Sequence, residues 1–158
     1  MVSAYSVFTK IAQTGHMELI TLGPMAIDPE GRLAPKMAER PIEFIFDWRG
    51  RRCSVDLGPH GLAIETDAAR IPSTADGRDQ RQSSFAEVAA LNPGLPEGWR
   101  LRLLPDHRIR FEADVDLVPP TNATDLVAAL VRFVLALDPY LDRLEAAGAG
   151  WAVGRAKT

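Results

Sequence analysis

Apolar and polar residues alternate with period two along two stretches of the chain. Ile42, Phe44, Phe46 and Trp48 are interleaved with Glu43, Ile45 and Asp47. After Arg49-Gly50-Arg51 the alternation resumes, with Cys53, Val55 and Leu57 set among Arg52, Ser54 and Asp56. Gly58-Pro59-His60-Gly61 marks a second turn, and Leu62 and Ile64 continue the pattern. Such alternation with short turns predicts an antiparallel meander with one face on a core and the other in water. Further on, Trp99, Leu101 and Leu103 alternate with Arg100 and Arg102 and turn at Pro105-Asp106-His107. The chain then returns as Ile109, Phe111, Ala113, Val115 and Leu117 among Arg108, Arg110, Glu112, Asp114 and Asp116. A one-residue slip would expose every large apolar side chain of this hairpin, at roughly 1.5–3 kcal/mol each, so its register is strongly specified.

Helical spacing occupies three other places. Ser3 is placed to cap a short helix with Tyr5, Phe8, Ile11 and Ala12 on one face and Gly15 as its stop; Met17–Leu22 then reads as a short strand. Ser84 and Glu87 have capping-box spacing, which predicts a helix of about two turns with Phe85, Val88 and Ala89 on one face, ended by Asn92-Pro93-Gly94. The longest stripe is Leu126, Leu130, Phe133, Leu137, Leu141 and Leu144, flanked by Val127, Val131 and Val134. Asn122 or Thr124 caps this last helix, and Asp138-Pro139 is expected to kink or restart it. Two stretches show neither period. Gly23–Arg40 holds Pro24, Pro29 and Pro35, which predict irregular chain with at most one small hairpin. Ala68–Gln82 has little to bury and reads as a mobile loop. The expected fold is a single α+β domain over residues 1–150, an antiparallel sheet (meander plus hairpin) packed with a long C-terminal helix and short helices, followed by a tail at 151–158.

Composition adds bounds to this picture. The chain has 158 residues, of which 46% are hydrophobic and 25% charged, enough for one domain to fold without disulfides or metal. A formal charge of −3 gives no general attraction to nucleic acid or anionic membrane. Cys53 is the single cysteine, so no intrachain disulfide forms. The N-terminus lacks the pattern of a signal peptide, and Leu126–Leu137, broken by Arg132, is too short to span a bilayer. A cytoplasmic location is expected.

No residue pattern points to catalysis. His16, His60 and His107 are isolated, outside any HExxH or CxxC spacing, and no metal or other cofactor is expected. Cys53 falls on the apolar face of its strand, where a thiol acts as a small hydrophobe. Ser54 stands outside any nucleophile motif, and there is no glycine-rich phosphate loop. Asp114 and Asp116 lie on the polar face of a strand and read as solvated. Arg49, Arg51 and Arg52 cluster at one turn, and Arg100, Arg102, Arg108 and Arg110 share one hairpin face. A nucleic-acid surface would need aromatics among them, but Trp99 and Phe111 alternate onto the other face and acidic residues dilute the patch. What remains is apolar: Ile45 on a nominally polar strand face, and Phe85, Val88 and Leu91 on a helix too short to stand alone. That helix packs either on the domain's own core or on a partner.

The order helix, meander, short helix, hairpin and long helix resembles the class I type III secretion chaperones (the Tir-chaperone family) and the YbjN-like proteins of the same fold. The resemblance is carried by Phe85-Ala86-Glu87-Val88-Ala89-Ala90-Leu91-Asn92, the hairpin Trp99–Leu117, and the final helix with Leu130, Phe133, Leu137 and Leu144; Gly50–Leu57 is similar too. It covers about two-thirds of the chain, and Gly23–Arg40 departs from it as an insertion. It implies a small acidic homodimer without catalytic activity that holds a partner protein, with Phe85, Val88 and Leu91 at the dimer contact. Two alternatives stay open: a small-ligand regulatory domain with a pocket between sheet and long helix, and an enzyme whose scattered site leaves no sequence pattern.

Overall fold

The computed structural model describes residues 20–22, 24–37, 40–75 and 77–151. The helix expected from Ser3, His16, residues 17–19 of the expected first strand and residues 152–158 lie outside the described residues. Along the described chain run β1 (Ile20–Leu22), β2 (Met25–Ile27), β3 (Arg32–Pro35), β4 (Ile42–Trp48), β5 (Arg51–Gly58) and β6 (Gly61–Arg70). Then follow α1 (Arg78–Leu91), a 3-10 turn (Asn92–Gly94), β7 (Trp99–Leu103), β8 (Arg108–Val115), β9 (Thr121–Asn122) and α2 (Ala123–Ala146). The architecture is the expected α+β class. Two antiparallel sheets, ordered β1-β2-β3-β9 and β4-β5-β6-β8-β7, combine with the long C-terminal helix and the shorter α1.

In the five-stranded sheet the period-two pattern becomes burial. Along β5, Cys53, Val55 and Leu57 are buried while Arg52, Ser54 and Asp56 are exposed. The meander and the hairpin join where β8 pairs with β6, from Leu62↔Val115 to Arg70↔Arg108. Aromatic side chains pack between the sheet and α2. Trp99 stacks on Phe133 with ring centroids 4.9 Å apart and meets Phe111 edge-on at 6.1 Å. Tyr140 closes the cluster and donates its hydroxyl to Gly94 O at 2.9 Å.

The far end of α2 is held by arginines of the β4–β5 turn. Trp48 pairs with Arg51, which leaves Arg49-Gly50 as a tight turn with φ of 49° and 73°. Positive φ at both positions matches the right-handed twist of the hairpin. For Arg49 this conformation costs roughly 1–2 kcal/mol. Its guanidinium is in turn held against Asp138 (3.3 Å), Asp142 (2.8 Å) and Glu145 (3.2 Å) of the helix. Arg51 is buried: its Nε donates to Ala68 O at 2.6 Å, one Nη to Arg49 O at 3.0 Å, and the other pairs with Glu145. The irregular register between Asp67 and Ala69 buries two successive alanines, Ala68 and Ala69. Trp151, expected to begin the tail, is half-buried and donates its indole N–H to Gly50 O at 2.9 Å.

The end of the expected first strand is β1, and the one small hairpin allowed within Gly23–Arg40 forms from β2 and β3, with Pro24 before β2 and Pro35 at the end of β3, where a missing donor matters least. Its turn is tied by Asp28, whose carboxylate accepts from Arg32 N at 2.8 Å and Arg32 Nε at 2.6 Å. The expected loop 68–82 shrinks to Ile71–Gly77, because β6 runs to Arg70 and α1 starts at Arg78. Ser84 is then no cap but a buried mid-helix residue, its Oγ bonded to Gln80 O (2.8 Å) and Ala147 O (3.0 Å). Glu87 pairs with Arg143 at 2.7 Å instead of reaching back. Finally, α2 runs unbroken through Pro139. The proline is exposed, so water can serve the carbonyl that loses its helical donor. Asn122, as expected, is the cap: its Oδ1 accepts from Asp125 N at 2.7 Å.

Two outcomes test these contacts. Arg51→Ala leaves Ala68 O without its donor and is expected to lower stability by about 2–4 kcal/mol in urea unfolding. Burial alone would raise the Asp28 carboxyl, but the Arg32 backbone N–H and guanidinium outweigh it and hold the group below its ordinary 3.8. A folded-state value that is depressed adds stability above the ordinary value and loses it as pH falls through the folded one. Asp28→Asn is therefore expected to lower the unfolding temperature at neutral pH and to flatten its decline in acid, below about pH 4.

Candidate protein-binding surfaces

The three residues expected at a dimer contact do not share one face. Successive steps of three residues turn by about −60° from one to the next, so Phe85 and Leu91 point some 120° apart. Leu91 is 1% exposed and belongs to the core together with Ser84, two turns before it. This corrects its assignment to an interface, because the domain's own core already covers it. Val88 lies half-buried at the edge of the core. Phe85 is 37% exposed, with the Arg81 guanidinium 5.0 Å above its ring. Gln82, Ala86, Ala89 and Ala90 are exposed as well, so the outward side of α1 from Gln82 onward is uncharged except for Glu87, which is paired with Arg143.

A second apolar surface lies on α2. Val127, Val131 and Leu135 are exposed, whereas Val134, expected beside them, is buried. The helical stripe revealed α2's core side; Leu135 was outside it and is found only once the helix is placed on its sheet. Ile45 is exposed opposite Ser54 on the open face of the large sheet, as its position in the alternation indicated.

That open face is a lattice of ion pairs. Arg100 pairs with Glu112 (3.3 Å) and Asp114 (2.7 Å), and Arg102 with Glu112 (3.2 Å). Arg110 pairs with Asp67 (2.7 Å) and Glu65 (3.2 Å), and Arg108 with Asp67 and Asp106. Glu112 is buried beneath its two arginines, and Asp114 is paired rather than merely solvated. Each arginine of the hairpin thus has a carboxylate on the protein, leaving less of its charge for phosphate. Trp99 and Phe111 face the core, not this lattice.

Among the described residues the groups considered for catalysis are dispersed. Cys53 is buried, and burial pushes its thiol up from the ordinary value of 9.0. His60 is exposed in the β5–β6 turn, and His107 stands in the β7–β8 turn with Nε2 3.3 Å from Arg81 Nη2. Among the described residues no three His, Cys, Asp or Glu side chains are grouped to hold a metal ion, and no helix is long and apolar enough to cross a membrane. Comparison of the chain with models of protein families, with curated proteins and with solved structures gives no match.

The thiol supplies a direct check on the core. Cys53 in the native protein is expected to be unreactive toward Ellman's reagent at mildly alkaline pH and to titrate as one thiol in concentrated guanidinium.

Proposed function

We propose that the protein is a non-catalytic, chaperone-like protein-binding domain that acts as a homodimer, with the outward side of α1 at the dimer contact. The observation that carries this is the exposed Phe85 beside half-buried Val88 and the uncharged, small-residue surface of Ala86, Ala89 and Ala90. A two-fold axis beside α1 brings the same surface of a second copy against it, and alanines let two helix backbones approach closely. A stable contact needs roughly 800 Å² per subunit, so more of the domain than Phe85 and Val88 would take part. The order of elements, similar to that of the secretion chaperones, supports the same assignment.

Among the described residues, His60 and His107 in separate turns and the buried Cys53 thiol support the non-catalytic part. The ion-paired sheet face favours a protein over nucleic acid as the second partner, and the net charge of −3 favours a partner other than an anionic membrane. In this proposal the protein works in the cytoplasm without a cofactor.

Light scattering is expected to give the mass of two chains at micromolar concentration. Phe85→Asp should give the mass of one chain with an unchanged far-UV spectrum, and Val88→Asp the same with some loss of stability. A single-chain mass for the unaltered protein at high concentration would overturn the dimer assignment. Unfolding of the Phe85 variant would place that side chain in the core.

A further inference from the structure

A hollow of about 610 Å³ lies where four segments distant in the chain meet. It is lined by Arg70 at the end of β6, Ser73 beyond it, Gln80 in the first turn of α1, His107 of the β7–β8 turn, and Gly150 and Trp151 past α2. Backbone hydrogen bonds fix these walls on one another. Arg70 N donates to Gly150 O and Ile71 N to His107 O, both at 2.9 Å. Arg81 adds a further tie: one Nη donates to Pro72 O at 2.7 Å, and the other lies 3.3 Å from His107 Nε2. Trp151 is anchored through its indole N–H on Gly50 O and supplies the aromatic part of the wall.

Charge sets this hollow apart. No carboxylate is among its lining residues. Two other hollows are lined by Glu43, Asp56 and Glu65 and by Asp56 and Asp114, in each case without an arginine. The arginines of the hairpin are neutralised by carboxylates, but Arg70 forms no ion pair among the described residues. Arg81 bonds only to the neutral acceptors Pro72 O and His107 Nε2, with the Phe85 ring against its guanidinium. Asp106, next to His107, is occupied by Arg108, whose hydrogen bond holds its carboxyl below the ordinary 3.8. Asp79 adjoins Gln80 in the chain but is not part of the wall. Two guanidinium groups at one hollow, neither neutralised by the protein, repel each other unless an anion joins them.

We propose that this hollow binds a small phosphate monoester carrying an aromatic ring, with its phosphoryl group at Arg70 and Arg81 and its ring on Trp151. A phosphate monoester brings nearly two negative charges at neutral pH and three strong acceptor oxygens, enough for two guanidinium groups together. A carboxylate brings one charge and two oxygens, which a single arginine satisfies. The indole face adds stacking with any planar ring, and the volume falls within the range of about 300–1,000 Å³ usual for small-molecule sites. A ligand here touches the β6–α1 connection, the β7–β8 turn and the chain past α2 at once, so it binds the folded form and stabilises it. The assignment does not rest on the dimer contact of α1.

Phenyl phosphate is a suitable probe, titrated into the full chain by calorimetry in a low-salt buffer free of phosphate. The expected dissociation constant is below about 1 mM. In a proton–nitrogen spectrum the indole N–H signal of Trp151, identified with Trp151→Phe, is expected to move while that of Trp99, inside the aromatic cluster, stays in place. Arg70→Gln and Arg81→Gln are each expected to weaken binding about tenfold. Arg70 is exposed, so its variant keeps the test decisive even where loss of the Pro72 bond unfolds the other. Inorganic phosphate, which lacks the ring, and benzoate, which lacks the phosphoryl group, are each expected to bind at least about tenfold more weakly than phenyl phosphate. No binding of phenyl phosphate at about 10 mM, equal affinity for either control, or unchanged affinity in Arg70→Gln would overturn the proposal.

Discussion

One apolar sheet face, wider than a single helix can cover, governs the rest of this molecule. α2 takes the middle with Leu126, Phe133, Leu137, Leu141 and Leu144, and the remaining width falls to its two flanks. On one side α1 is drawn in by Leu91 and Ser84, and the aromatic cluster of Trp99, Phe111, Phe133 and Tyr140 fills the seam. On the other side Phe44 and Phe46 of the edge strand β4 remain half-buried, and Val127, Val131 and Leu135 of α2 are exposed. Both surfaces considered for binding follow from this geometry: one is the back of the helix that closes the first flank, the other is the second flank itself.

Covering helices must also be held at the right angle, and here polar contacts add direction to a non-directional apolar effect. Arg51 links the β4–β5 turn, the irregular part of β6 and the end of α2 through Ala68 O and Glu145. A buried guanidinium without partners would be costly; with three, it fixes where the helix ends. Arg49 and Trp48 extend the same clasp along Asp138 and Asp142, which ties the last turns of α2 to the edge strand. The open sheet face uses charge differently. Its arginines and carboxylates neutralise one another along the strands, giving a well-solvated surface with no single sign to attract a charged ligand. The exposed apolar side chains Phe85, Val127, Val131 and Leu135 lie instead on the helices.

Much of the fold was legible because its signals are local. The alternation from Ile42 to Leu57 and from Trp99 to Val115 specified strands, their turns and their buried side, and the stripe from Leu126 to Leu144 specified the long helix, with its cap left between Asn122 and Thr124. Less of the candidate site could be read. Spacing grouped Phe85, Val88 and Leu91, but three-residue steps rotate around a helix, and only the position of α2 shows that Leu91 faces inward while Phe85 faces out. The lower end of α1 was hidden because Arg78–Gln82 has no apolar residue to give it a period. Pro139 suggested a break, yet the solvent side of a well-anchored helix tolerates the missing bond.

The amino-acid sequence by itself determined the main strands and the long helix, that Cys53, Trp99 and Phe111 lie on the core side, and that the arginines of the hairpin share a face with acidic residues. Those properties depend on periods of two and 3.6 that each segment carries alone. Tertiary structure decided which helical side chains remain exposed, among them Val127, Val131 and Leu135, and which carboxylate each arginine holds. These outcomes depend on where one helix lies across a sheet wider than itself, a matter of packing between segments distant in the chain.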